Sequence, residues 1–195
     1  HGFIRTYKVT GPCLRHPSRA LVEVRTLSPF VGRGHELRTL HAILDQVADG
    51  RGQSVGIVGE PGIGKSRLLY EFSQQLHTHG PVTYLEGHCL SYARATPYSL
   101  VLEVLRAHCA IATADGDDVI AEKVHRTLGV LGVDADRTAA YLLHLLGVRG
   151  AVDTLSGTSP DTLKAHTFAA LKQLWTKSGQ RRPLVIAVED LHWID

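Results

Sequence analysis

The chain has 195 residues, 44% of them hydrophobic and 21% charged, with a formal net charge of +2. That composition supplies a packed core, excludes a disordered chain, and leaves no electrostatic footprint for a nucleic-acid partner. The length allows one ordinary domain, or one domain plus a tail, and no apolar run approaches the ~20 residues of a membrane span.

Residues 1–28 carry Arg5, Lys8, Arg15, Arg19 and Arg25 against the single acid Glu23. Phe3 to Val9 alternates well enough for one strand, and Gly11-Pro12 and His16-Pro17 make the remainder a linker. The folded part opens at Phe30-Val31-Gly32-Arg33. Leu37, Leu40, Leu44 and Val47 then mark an amphipathic helix closed by Gly50. Ser54-Val55-Gly56-Ile57-Val58 reads as a short buried strand.

Next comes Gly59-Glu60-Pro61-Gly62-Ile63-Gly64-Lys65-Ser66, which spells G-x-x-x-x-G-K-[ST], the phosphate-cradling P-loop. Glycines let successive backbone N–H groups turn inward on a polyphosphate, and a helix N-terminus adds its partial positive charge. Lys65 then reaches the outer phosphates, and the Ser66 hydroxyl can ligate Mg²⁺. Leu68, Leu69, Phe72 and Leu76 recur at helical spacing after the loop, and Gly80-Pro81 stops that helix.

Val82 to Glu86 reads as a second strand. From Pro97 to Gly147 the pattern is helical, with glycine breaks near Gly116, Gly129 and Gly132. Asp115, Asp117 and Asp118 mark a loop and a helix start there rather than a calcium loop. Ser159-Pro160-Asp161 starts a further helix, with serine as N-cap, proline at the first position and an acid in the first turn. Leu163, Leu171, Leu174 and Trp175 supply its buried face and Gly179 ends it. Pro183-Leu184-Val185-Ile186-Ala187-Val188-Glu189-Asp190 is then an apolar run ending in two acids. It reads as a parallel strand buried on both faces, with carboxylates at the end where ligands gather. Such acids can hold Mg²⁺ and orient an attacking water, the Walker B pattern.

The three cysteines, Cys13, Cys89 and Cys109, are odd in number and widely spaced, which suits reduced thiols in a cytoplasmic protein. Among the twelve histidines, none forms the paired Cys/His spacing of a structural zinc site, so they read as core or solvated residues. The chain holds no methionine, begins at His1 and ends at Asp195 directly after a strand-like run. These features suggest a piece of a longer polypeptide.

Phe30-Val31-Gly32-Arg33, the P-loop with Arg67-Leu68-Leu69 after it, and Val188-Glu189-Asp190-Leu191-His192-Trp193-Ile194-Asp195 together resemble the AAA-type P-loop ATPase module of bacterial signalling proteins. That module belongs to the STAND class and is similar to origin-recognition-type AAA domains. Tyr84 to Tyr92 and Ala95-Thr96-Pro97-Tyr98 fit as well, so the resemblance covers 29–195, with 1–28 outside it. It implies an α/β fold: a three-layer P-loop NTPase with a parallel sheet and a helical insertion, here truncated after the Walker B strand.

The resemblance also implies ATP and Mg²⁺ as cofactors. The triphosphate would be held by Gly59, Glu60, Pro61, Gly62, Ile63, Gly64, Lys65, Ser66 and Arg67. Ser66, Glu189 and Asp190 would serve the metal. Glu189 falls at the metal-coordinating position and Asp190 at the water-activating one, both counted as catalytic. Arg33 falls in the segment near the adenine. His192 and Trp193 follow the acids, where they either pack or sense the nucleotide.

Two hosts share the module. One follows a class III adenylate/guanylate cyclase domain, whose last strand Ile4 to Pro12 resembles; the other is a large LuxR-type transcriptional regulator. The expected function is an ATP-binding, potentially ATP-hydrolysing regulatory module, with weak turnover because sensor residues and further strands would lie past Asp195. A non-hydrolysing interaction fragment and a piece of a DNA-binding regulator are the alternatives. The expected partners are ATP and the rest of a multidomain polypeptide, with self-association compatible, and with no membrane and no nucleic-acid site in these residues.

Overall fold

The computed structural model describes residues 28–89 and 97–191. The strand read at 3–9, together with His192 and Trp193, lies outside them. The chain divides into two compact units, one ending at Gly34 and the other beginning at His35. In the first, residues 28–33 form neither helix nor strand, and Gly32 bends the backbone with a φ of 78°.

Helix α1 (Gly34–Ala48) starts at the last residue of the first unit and otherwise belongs to the second, where its Leu44 is buried against Phe72 and Leu76. Helix α2 (Lys65–Gln75) follows the P-loop and tightens into a 3₁₀ turn (Leu76–His79). Gly80, at φ 83°, then ends the element where the Gly-Pro pair predicts. Strand β1 (Thr83–His88) comes next, then helices α3 (Ser99–His108), α4 (Asp117–Leu131), α5 (Ala135–Leu145), α6 (Arg149–Leu155) and α7 (Pro160–Arg181). Strand β2 (Leu184–Glu189) closes the described chain.

The strands pair in parallel, Thr83 opposite Leu184 through to His88 opposite Glu189. A parallel pair needs a long crossover, and helices α3 to α7 provide it. These helices enclose the larger core, in which Leu105, Val124, Leu128, Leu142 and Leu174 are fully buried. Helix α7 starts as its sequence indicates: the Ser159 side chain accepts a hydrogen bond from the Thr162 N–H, with Pro160 at the first helical position. No helix among the described residues is long and apolar enough to cross a membrane.

Three sequence expectations change. Residues 54–58 form no strand: they have no ladder partner among the described residues, with Val58 96% and Val55 47% exposed. An apolar run becomes a strand only when a neighbour takes up its N–H and C=O groups. Gly129 and Gly179 sit inside helices α4 and α7 rather than ending them. Strand β2 is not buried on both faces, since Ile186 is 38% exposed while Ala187 is buried.

Packing of α3 on β1 depends on one glycine. A Cβ at Gly87 would lie 2.6 Å from Leu100 Cδ1 and 2.9 Å from Val104 Cγ2. A side chain at residue 87 would have to displace the ends of both, so the glycine lets the side chains of α3 pack directly on the strand.

Candidate functional site

The glycine spacing of the P-loop translates directly into backbone shape. Gly62 (φ 79°) and Gly64 (φ 94°) adopt left-handed conformations that side chains with a Cβ resist. Gly64 is the N-cap of α2, and its carbonyl accepts the Leu68 N–H at 3.0 Å, so the helix begins at Lys65. The first N–H groups of that helix have no intrahelical acceptor, which is the physical basis of anion binding at such a terminus.

Lys65 donates from Nζ to the carbonyls of Gly59 and Glu60, both at 3.0 Å. The ammonium is therefore held across the mouth of its own loop. Ser66, one residue into the helix, donates from Oγ to Oε2 of Glu189, the last residue of β2. This contact joins the P-loop to the acidic strand end across most of the sequence. Asp190 follows in an exposed left-handed turn at φ 57°, a conformation that aspartate tolerates better than most residues.

Two other expected residues sit differently. Arg67 runs along its own helix, with both Nε and a terminal nitrogen 2.7 Å from Glu71 Oε1, the i,i+4 spacing of a helical ion pair. Arg33 belongs to the first compact unit, whereas the P-loop belongs to the second. Glu60, Pro61 and Ile63 are exposed along the loop.

Beside Glu189 lies a group that sequence reasoning missed. Glu86 and His88 alternate along β1 and so share a face, and the strand register sets His88 opposite Glu189. One potential ligand atom from each of Glu86, His88 and Glu189 lies within 4.8 Å of the others, and all three residues are half-buried. Glu103 reaches in from α3: its Oε2 accepts the His88 backbone N–H at 2.7 Å and its Oε1 lies 3.0 Å from His88 Nδ1. The hydrogen bond to Glu103 raises the His88 pKa above its ordinary 6.5, opposed by burial and reinforced by the charges of Glu103, Glu86 and Glu189. The sequence signal was Glu86-x-His88 at strand spacing; Glu103 could not be paired with it before α3 was placed.

Cys89, Cys109 and the half-buried His108 lie away from this group's chemistry. Cys89 and Cys109 are buried. Burial pushes the Cys109 thiol up to about 11, only partly offset by a hydrogen bond with Thr127. Burial, with the Arg182 charge, pulls His108 below its ordinary value. In the helical insertion, Asp115 accepts the Ala112 N–H at 2.7 Å and pairs with Lys123 at 2.5 Å, so it closes a loop.

An uncharacterised protein of Rhizobium meliloti (strain 1021) is 31% identical over 168 residues, covering 86% of this chain. The aligned region is 16% of that relative's length. No solved structure matches. Residues 29–195 match the AAA ATPase domain as a family. With the P-loop and the strand-end acid in contact inside that span, the chain belongs to the AAA ATPase domain family and has the α/β fold of a P-loop NTPase.

Proposed function

We propose that this chain is the ATP-binding part of a regulatory module in a multidomain bacterial signalling protein, linked to a cyclase or to a LuxR-type regulator. The observation that carries the reading is the Ser66–Glu189 contact. A hydroxyl and a carboxylate in direct contact are a hard-oxygen pair, and such a pair fits Mg²⁺ that keeps several of its own waters. When bound, Mg²⁺ supplies positive charge beside the phosphate oxygens.

The chain's own groups do the rest. The glycine-shaped loop and the first N–H groups of α2 bind the phosphates. Lys65 exchanges its two loop carbonyls for phosphate oxygens, which are stronger acceptors because they carry charge. Glu189 orients the Ser66 hydroxyl, and Asp190, exposed at the strand end, serves as the base toward water. Within a larger protein the nucleotide state then biases an output domain by ordering the loop and strand end. In this reading the three-layer sheet is completed by further strands, and self-association remains compatible with it.

Fluorescent ATP-analogue binding in the presence of Mg²⁺ tests the reading, comparing the native chain with Lys65→Ala. Loss of a charged hydrogen-bonding partner for phosphate should weaken binding by roughly 10- to 100-fold. Equal affinity in the two proteins would favour a non-hydrolysing interaction module. One observation gives that second reading its weight: the run before the P-loop, 54–58, is exposed and unpaired in the described sheet. For the same reason turnover by this chain should be weak, because a P-loop not anchored by a paired strand positions its phosphates loosely.

A further inference from the structure

We propose that Glu86, His88 and Glu189 form a second divalent-cation site, one that prefers a borderline transition ion such as Zn²⁺ or Co²⁺ to Mg²⁺. It goes beyond the nucleotide reading and does not rest on it.

The argument starts from the strand ladder. Alternation on β1 puts Glu86 and His88 on one face, and the register brings Glu189 alongside from β2. The ligand atoms are already within 4.8 Å of one another, so small side-chain rotations bring them to the ~2.0–2.2 Å bonds of a Zn²⁺ centre. Rigid strands, rather than a loop, carry all three.

The donor set decides the metal. One imidazole with two carboxylates suits Zn²⁺ or Co²⁺, whereas Mg²⁺ favours an all-oxygen octahedron. Glu103 adds the outer partner that metal-binding histidines characteristically have. It lies 3.0 Å from His88 Nδ1, and coordination through Nε2 leaves that bond in place and fixes the ring. Both candidate ligands on β1 are distinct from the P-loop residues. Glu189 is shared: its Oε2 accepts from Ser66, and a carboxylate offers a second oxygen. Occupation by a transition ion and the Ser66 contact therefore draw on one side chain.

Co²⁺ is the probe, titrated into the full chain without nucleotide and followed by its visible d–d absorption. One Co²⁺ should bind per chain, displaced by Zn²⁺ and not by a large excess of Mg²⁺. Glu86→Gln and His88→Ala should each weaken Co²⁺ binding by on the order of 10-fold or more, while Val58→Ala, at an exposed site away from the three ligands, leaves it unchanged. Glu86→Gln preserves side-chain volume and decides the matter if His88→Ala does not fold. Unchanged Co²⁺ affinity in Glu86→Gln, ready displacement by Mg²⁺, or no bound Co²⁺ in the native chain overturns the proposal. Since nucleotide is absent and Lys65 is intact in these variants, failure here is separable from failure of the ATP analogue to bind.

Discussion

His88 holds its proton in a field made by Glu103, Glu86 and Glu189, and this gives the chain a definite dependence on pH. Because the folded pKa is raised above 6.5, the His88–Glu103 pairing contributes its full stability below that value. The contribution is lost as pH rises through the raised folded pKa. Replacing Glu103 with Gln removes the charge and keeps the shape. The stability difference between native and Glu103→Gln, from urea unfolding, should be largest below about pH 6.5 and shrink in alkaline solution. A histidine-selective NMR titration should show the His88 pKa falling in the variant. At this scale, legibility followed sequence distance. Glycines and lysine in the P-loop announce themselves because one octapeptide carries the whole device. That Ser66 and the acids closing 183–190 serve one metal was legible from the two motifs, with the role of each acid added by resemblance, whereas Glu103 was not legible at all, because an isolated glutamate in a helical pattern looks like any solvated one.

Helices in the crossover end by a repeated device. At Gly132 the residue's own N–H reaches the Gly129 carbonyl at 3.1 Å, and the Val133 N–H reaches Leu128 at 3.0 Å. Gly147 with Val148 repeats the pattern on His144 and Leu143. Both are Schellman caps, and each needs a left-handed residue at its turning point. Helix α3 closes the same way, with Ala110 bonded to Ala107 and Ile111 to Arg106, but the left-handed position is an alanine at φ 53°. A Cβ in that conformation costs about 1 kcal/mol or more. Ala110→Gly should therefore stabilise the chain by about 0.5–1 kcal/mol, read as a raised urea midpoint with an unchanged slope. Glycine caps are legible in a sequence, whereas a cap formed against propensity is not. Residues 54–58 show the opposite failure: β-branched residues promised a strand that the described sheet does not pair.

Across the whole molecule, stability is divided unequally between two apolar clusters. One joins α3 to α7 around fully buried leucines; the smaller joins α1 to α2 through Leu44, Phe72 and Leu76. Leu142 sits at the centre of the larger cluster with no exposed surface. Leu142→Ala should cost about 2–5 kcal/mol, since the lost transfer energy adds to that of the cavity left behind. Val58→Ala, at a nearly fully exposed site, should stay within about 0.5 kcal/mol. Urea melts of the two variants measure both. A buried P-loop strand, as the sequence suggested, would instead make Val58→Ala a core lesion. The helical insertion was legible as a helical tract, but not that it would hold the larger core. Apolar periodicity shows which face of a helix is buried, without showing how many neighbours will share it.

The missing side chain at residue 87 links these scales mechanically. Glycine there lets α3 lie against β1, and α3 is the helix that carries Glu103 to His88. A methyl group at that point would meet the side-chain ends of Leu100 and Val104, one on each side of Glu103 in sequence, and those ends would have to shift. Strand and helix thus share one contact surface: the residue without a side chain sits next to His88 and faces the same helix that supplies Glu103, so the packing of α3 and the environment of the imidazole meet at one edge of the sheet.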